Sequence, residues 1–132
     1  MKEVLEFLKK CSTFYLATEE NGQPHVRPFG AVCEFEGKLY IVTNNQKNVY
    51  RQMLANPKVE ICGMSGGKWI RLEGEVALDE RREARVAMMN DNEAALSGMY
   101  TVDDNLMVVF YFVSGKASIC SFTSEPEVYT LS

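Results

Sequence analysis

The sequence predicts a mainly β protein, a small antiparallel barrel of six to seven strands with short helices inserted. β-rich runs recur at even spacing along the 132 residues. Consecutive runs are separated by short turns rich in Gly and Asn, which favour hairpins. The helical patterns between them are short, as in small closed antiparallel barrels. Because 46% of the residues are hydrophobic, the chain can close a core of its own, and we expect one domain over residues 1–132.

The N-terminal half begins with a helical pattern and continues with hairpin-linked strands. Val4, Leu5 and Leu8 share one face of an opening helix that we expect to cap the barrel. Asn21-Gly22 is a hairpin signal, and Asn56-Pro57 ends the next helical pattern. The predicted elements are, in order, the opening helix, strands over 12–18, 24–35 and 39–43, and a helix over 45–55.

The C-terminal half carries a second set of strands and one longer helical pattern. Ser65-Gly66-Gly67 and Ser114-Gly115-Lys116 indicate turns, and Asp79 is a suitable N-cap for the helix that follows it. The tail after Phe122 carries no strong signal. The predicted elements are, in order, strands over 58–64 and 68–78, a helix over 79–96, a loop over 100–105, and strands over 106–113 and 117–122.

Composition excludes several classes of partner. A net charge of −4 offers no broad attraction to nucleic acid or anionic lipid. No run of residues approaches the roughly 18 apolar residues of a spanning helix, and the charged N-terminus is unlike a signal peptide. We therefore expect a cytoplasmic protein with no nucleic-acid or membrane partner. The four cysteines and single histidine are dispersed, so we expect buried free thiols and no metal site.

A candidate phosphate site is visible between residues 27 and 48. Arg27 lies on one predicted strand, and the segment from Thr43 through Asn44 to Lys47 lies where the next strand runs into a helix. Such a place supplies cations, hydroxyl and amide donors, and free helix N-terminal amides, which is what a phosphate needs. Thr43 and Asn44 also suit a strand exit and helix N-cap, and the two interpretations are compatible. The pattern indicates a phosphate-anchored cofactor site with Arg27 and Lys47 as its cations.

The order and spacing of several segments resemble the pyridoxamine 5'-phosphate oxidase-like family of FMN-binding split barrels. The resemblance covers nearly all of the chain. The matching segments are 14–18, 22–28, 39–43, 47–52, 56–59 and 69–75. What it implies is an antiparallel split barrel of the FMN-binding type and a homodimer whose two FMN sites are shared across the interface.

The resemblance also implies roles for individual residues. Arg27, Thr43, Lys47 and Asn48 would hold the phosphate and ribityl groups of FMN. The backbone of Arg27-Pro28-Phe29 and of Asn44 would lie along the isoalloxazine ring. Trp69 and Arg71 would reach the flavin from the partner subunit, although Trp69 suits packing of the dimer interface equally well.

The activity implied by the resemblance is that of a small FMN-dependent oxidoreductase using a small-molecule electron donor or acceptor. An acidic, arginine-free tail ends the chain, whereas authentic pyridoxamine phosphate oxidases carry a basic C-terminal segment, which argues against vitamin B6 oxidation. A non-catalytic flavin-binding carrier or stress-related sensor is the alternative. Related barrels also bind haem or a deazaflavin; the lone His25 is a poor axial ligand for haem, and nothing in the sequence decides about a deazaflavin.

Overall fold

The computed structural model describes residues 1–132 and contains eight strands and four short helices. Most of the predicted elements are present, with shifted bounds. The elements are, in chain order, α1 Lys2–Cys11, β1 Phe14–Glu20, β2 Gln23–Phe29, β3 Val32–Phe35, β4 Lys38–Asn44, α2 Asn48–Ala55, β5 Lys58–Ser65, β6 Lys68–Asp79, α3 Arg82–Asp91, α4 Glu93–Leu96, β7 Met107–Cys120 and β8 Glu127–Leu131.

All eight strands belong to one antiparallel sheet of order β2-β1-β5-β6-β7-β4-β3, with β8 paired to β7. β2 and β3 form opposite ends of this order, yet only Gly30 and Ala31 connect them. The sheet must therefore curl until its two ends lie side by side without pairing. This arrangement is an open, split barrel, and the predicted mainly β fold class is confirmed.

Alternation along the strands places one continuous core inside the curled sheet. Phe14, Leu16 and Thr18 of β1 point inward and are buried, while Tyr15 between them is exposed. Val4 and Leu8 of α1 join this core, as the helical spacing predicts. A second, smaller cluster lies under α3 and α4, which cover the sheet near β3, β4 and β7.

Three strand predictions differ from the structure. The predicted strand over 24–35 is divided into β2 and β3, because the chain passes there from one end of the sheet to the other. The predicted turn at residues 114–116 is absent, since β7 runs unbroken through Gly115, which lies opposite Gly74 of β6. The tail forms β8 on the second half of β7. The count is thus eight strands, where six to seven were predicted.

Two helix starts also differ. α2 begins at Asn48, three residues later than predicted. Asp79 is the last residue of β6 and not an N-cap, because its carboxylate accepts hydrogen bonds from Tyr40 and Arg81. The predicted helix over 79–96 is two helices, α3 and α4, which meet at Asn92.

The cysteines are all free, but their burial varies. Cys33 is buried as predicted, Cys11 and Cys120 are partly buried, and Cys62 is exposed on β5. The expectation of buried thiols is wrong for Cys62 because its side chain lies on the outer face of the sheet. No helix in the structure combines the length and the apolar character that crossing a membrane requires.

Candidate active site

A cleft of about 240 Å³ lies where β2, β4 and the start of α2 meet the α4 segment. It collects five of the nine residues predicted for the cofactor site. Those five are Arg27, Pro28, Phe29, Thr43 and Lys47. The remaining lining residues are Gly30, Ala31, Val42, Val49, Ala95, Leu96, Met99 and Tyr100.

Arg27 enters the cleft from β2 as a half-buried cation. It lies opposite Leu16 in the β1–β2 ladder, on the inward face of the sheet. Its Nη1 donates to the carbonyl of Leu16 at 3.1 Å and to Oγ1 of Thr18 at 2.9 Å, and its Nη2 donates to Oε1 of Gln52 at 2.7 Å. Burial lowers the pKa of its guanidinium, and no carboxylate forms an ion pair with it.

Lys47 lies at the other side of the cleft, at the N-cap position of α2. It is exposed and forms no ion pair. No side chain caps the N-terminus of α2, so its first amides keep their partial positive charge at the cleft. The amide of Gln46, just before the helix, donates instead to Oδ1 of Asn44 at 3.0 Å.

Thr43 and Asn44 end β4 beside these cations. Thr43 is buried and lines the cleft. Asn44 does not line it directly, but its Nδ2 donates a 2.9 Å hydrogen bond to the hydroxyl of Tyr100, which does. Asn44 therefore connects the end of β4 to the opposite wall of the cleft. Both residues lie at the exit of β4, as predicted, but neither is the N-cap of α2.

Asn48 is exposed and outside the cleft. Its Oδ1 accepts a 3.0 Å hydrogen bond from Nη1 of Arg51, one turn later in α2. As the first residue of the helix, it contributes a backbone amide at the end of α2 that borders the cleft.

Trp69 and Arg71 lie on β6, on the outer face of the sheet and outside the cleft of their own chain. The ring of Trp69 packs against Phe122 with ring centroids 5.0 Å apart. Nε and Nη2 of Arg71 donate to one carboxylate oxygen of Glu60 at 3.0 and 2.9 Å. Within one chain, the structure does not bring these two residues to the other seven predicted ones.

The α4 segment forms a wall of the cleft that the sequence does not reveal. Ala95, Leu96, Met99 and Tyr100 line the cleft from this side. They lie more than 50 positions after Thr43, and only the packing of α3 and α4 on the sheet brings them there. The helical pattern before Leu96 indicates a helix, but it carries no signal of what the helix covers.

A larger open cleft, of about 600 Å³, lies on the outer face of β1, β5, β6 and β7. Four carboxylates and two lysines line it: Glu19, Glu60, Glu73, Glu75, Lys58 and Lys116. Its excess of negative charge does not suit an anion. The smaller cleft is therefore the better candidate for a phosphate-bearing ligand, despite its size.

Comparison with known proteins agrees with this architecture. The family model for pyridoxamine 5'-phosphate oxidase matches residues 1–118. The chain belongs to this family. The chain is also 55% identical to a nimc/nima family protein from Clostridium acetobutylicum, which it matches over 99% of its own length and 93% of the other chain with a TM-score of 0.94. No curated protein matches the chain at a significant level.

Solved structures of lower sequence identity share the fold alone. A pyridoxamine 5'-phosphate oxidase-related, FMN binding protein from Nostoc punctiforme is 16% identical, with 99% and 94% of the two chains covered and a TM-score of 0.65. A heme binding protein from Mycobacterium smegmatis is 17% identical, with 96% and 57% covered and a TM-score of 0.72. At these identities the likeness concerns the fold.

Proposed function

We propose that the chain binds FMN in the 240 Å³ cleft and acts, as a homodimer, as an FMN-dependent oxidoreductase. The observation that carries the proposal is the pair of cations Arg27 and Lys47, which line one cleft and have no carboxylate partner. The residues present fit the phosphate end of FMN: two cations, a threonine hydroxyl and the uncapped N-terminus of α2.

The unpaired state of Arg27 is informative because carboxylates are abundant, whereas most lysines of this chain are unpaired. The chain has 18 acidic against 14 basic residues, and four of its other arginines form ion pairs. A half-buried guanidinium without a counter-charge is unfavourable unless a ligand supplies one. A dianionic phosphate in the cleft would do so.

The other lining residues suit a planar aromatic group. Phe29, Val42, Leu96 and Met99 provide apolar surface, and the backbone of Pro28 to Ala31 follows the edge of the sheet. Gly30 has no side chain to keep a ring away from this backbone. A flat ring system with a phosphate tail therefore matches the distribution of apolar and cationic groups in the cleft.

The size of the cleft supports a site shared by two chains. Pockets for ligands of this kind measure about 300–1,000 Å³. The candidate cleft of a single chain, at about 240 Å³, is smaller than this range. Pro28 lines the cleft and also lies on the outer face of the sheet, in a cross-strand row with Tyr15, Cys62 and Arg71. A second chain covering this face would therefore border the cleft.

The same outer face carries exposed apolar side chains that a second copy would bury. Phe122 is 89% exposed although it packs on Trp69, and Met64 lies opposite Trp69 in the β5–β6 ladder with 67% of its surface exposed. Such patches mark interaction surfaces. A two-fold pair uses the same patch on both subunits, so the partner subunit's Trp69 would approach the cleft edge of the first subunit.

Bound FMN would supply the hydride or electron transfer, and the residues of this chain would bind and orient it. The cleft is lined by no Asp, Glu, His or Cys, and its groups able to exchange a proton are Lys47, which we assign to the phosphate, and Tyr100, which is hydrogen-bonded to Asn44. This lining also favours a second function, that of a flavin carrier or sensor without turnover. Of the usual axial ligands of haem, this lining offers Met99 and Tyr100 and neither His nor Cys.

The proposal is tested by the visible spectrum of the protein purified without added cofactor, followed by anaerobic addition of NADH or NADPH. Flavin bands that bleach quickly and return with a specific acceptor would support an oxidoreductase. Flavin bands that bleach slowly and without preference for a donor would support the carrier. A colourless protein that takes up no added FMN would contradict both functions.

A further inference from the structure

Arg27 is held by a closed set of hydrogen bonds to two buried neutral side chains. Nη1 of Arg27 donates to Oγ1 of Thr18 and Nη2 donates to Oε1 of Gln52, at 2.9 and 2.7 Å. The hydroxyl of Thr18 in turn donates to the same Gln52 oxygen at 2.6 Å. Thr18 and Gln52 are each only 3% exposed, so this set is fixed in the core and is not a mobile surface contact.

The two oxygens occupy one edge of the guanidinium, much as the two oxygens of a carboxylate would. The second hydrogen of Nη1 is shared by the carbonyls of Leu16, at 3.1 Å, and His25, at 3.5 Å. The adjacent edge, formed by Nε and the remaining hydrogen of Nη2, has no partner within the chain. That edge has the spacing for a two-pronged hydrogen bond to an oxyanion.

The neutrality of the pair matters as much as its geometry. A glutamate at position 52 would accept the same hydrogen bonds but would cancel the charge of Arg27. The glutamine orients Arg27 and leaves its charge for a ligand. The orientation of the Gln52 amide is itself set by Glu20, which accepts from Nε2 at 3.4 Å while its own charge is paired with Arg51 at 3.2 Å.

We propose that Thr18 and Gln52 are positioning residues that turn the free edge of Arg27 toward a phosphate in the cleft and keep its charge unpaired. They do not contact the ligand themselves. The inference rests on the proposed function because it concerns the same cleft, and it adds a specific consequence: the pair selects for the phosphate of FMN over riboflavin, which lacks it.

The test compares FMN and riboflavin affinities, measured by fluorescence titration, in Gln52→Glu, Thr18→Val and wild type. We expect Gln52→Glu to weaken FMN binding about 10- to 100-fold and Thr18→Val about 3- to 10-fold, with riboflavin affinity unchanged. Thr18→Ser keeps the hydroxyl and should restore FMN affinity. Gln23→Glu adds the same charge at an exposed position of β2 and serves as the matched control.

A purely structural role predicts a different result. FMN and riboflavin affinities would then fall together, in step with the melting temperature, and the inference would be overturned while FMN binding stands. Titration of inorganic phosphate, followed by ³¹P NMR, separates the two proposals. If the protein takes up no FMN but binds inorganic phosphate in a way that depends on Gln52, the inference stands and the proposed function is wrong. If it binds neither phosphate nor FMN, both the inference and the proposed function are wrong.

Discussion

The hydroxyl of Tyr40 donates a 2.6 Å hydrogen bond to Oδ2 of Asp79, and both side chains are buried. Arg81, two residues further on, also donates to this carboxylate at 2.9 Å and reaches Glu36 at 2.8 Å. These contacts join the end of β6 to β4 and to the turn before β4. The end of β6, just before α3, is therefore anchored to β4 by one buried carboxylate.

The first prediction concerns acid stability. Hydrogen bonds from Arg81, and then from Tyr40, hold the pKa of Asp79 at about 2, below its ordinary value of 3.8. Because the folded pKa lies below the unfolded one, the stabilisation is present above about pH 4 and is lost as pH falls toward 2. We expect Asp79→Asn to lower the free energy of unfolding at pH 7 by about 2 kcal/mol and to remove this part of the pH dependence.

Urea unfolding at a series of pH values measures this effect. Asp103→Asn is the control, since Asp103 pairs with Arg82 on the surface, where both side chains are exposed and solvent screens the pair. A pH profile for Asp79→Asn that parallels the wild type between pH 5 and 2 would show that Asp79 does not carry this stability.

The second prediction concerns the two cations of the cleft. Arg27→Ala and Lys47→Ala should each weaken FMN binding about 10- to 100-fold, because each removes a charged donor to the phosphate. Neither change should alter dimerisation, since neither residue belongs to the apolar outer face around Trp69 that we propose as the interface. Isothermal titration with FMN and sedimentation velocity check the two parts. Lys2→Ala, at an exposed lysine of α1, is the control; an equal loss of FMN affinity in Lys2→Ala would point to general electrostatics.

The third prediction concerns the outer sheet face. Trp69→Ala should weaken dimerisation and FMN binding together, by about 2 kcal/mol or more for the interface, because a central aromatic side chain is typical of interface hot spots. Leu54→Ala, which removes a 51% exposed apolar side chain from α2, away from this face, should change neither. Sedimentation equilibrium and FMN titration on the same samples measure both quantities. A monomer that binds FMN at full strength would contradict the shared site.

The fourth prediction concerns the close approach of β6 and β7. A Cβ atom at Gly74 would overlap the carbonyl oxygen of Ser114 and lie 2.9 Å from the Cα of Gly115. These are backbone atoms of a paired strand and cannot move aside cheaply. Gly74→Ala should therefore cost about 2–4 kcal/mol of stability by overpacking. Gly98→Ala is the control, since nothing lies within 4 Å of a Cβ there; similar melting temperatures for the two variants would contradict the prediction.

Local chemistry accounts for most of the elements that were predicted correctly. Alternation around Phe14 and Leu16 defines β1, Asn21-Gly22 defines its hairpin, and Asn56-Pro57 ends α2. Each of these signals acts within a few residues, so the structure that it favours does not depend on contacts with distant parts of the chain. The segment proposed to bind phosphate is equally local, because the strand, the turn and the helix start that compose it are contiguous.

The errors lie where local chemistry competes with long-range pairing. Ser114-Gly115-Lys116 has the composition of a turn, yet pairing with β6 and β8 on both sides keeps β7 extended through it. Asp79 is a residue type that often caps helices, but here its carboxylate accepts hydrogen bonds from Tyr40 and Arg81. β8 has little signal of its own and forms because the second half of β7 offers it an open edge.

Periodicity, turn chemistry and the order of short motifs were sufficient to predict the fold class and the family, and to propose the cations of the candidate phosphate site. That Arg27 faces inward onto Thr18 and Gln52, and that α4 closes the other wall of the cleft, became visible only in the folded chain. Arg27 and Thr18 are 9 positions apart in the sequence, and Thr18 and Gln52 are 34 apart. Sheet curvature and helix packing bring them together. No local pattern encodes these relationships, because each depends on where the whole sheet has placed both partners.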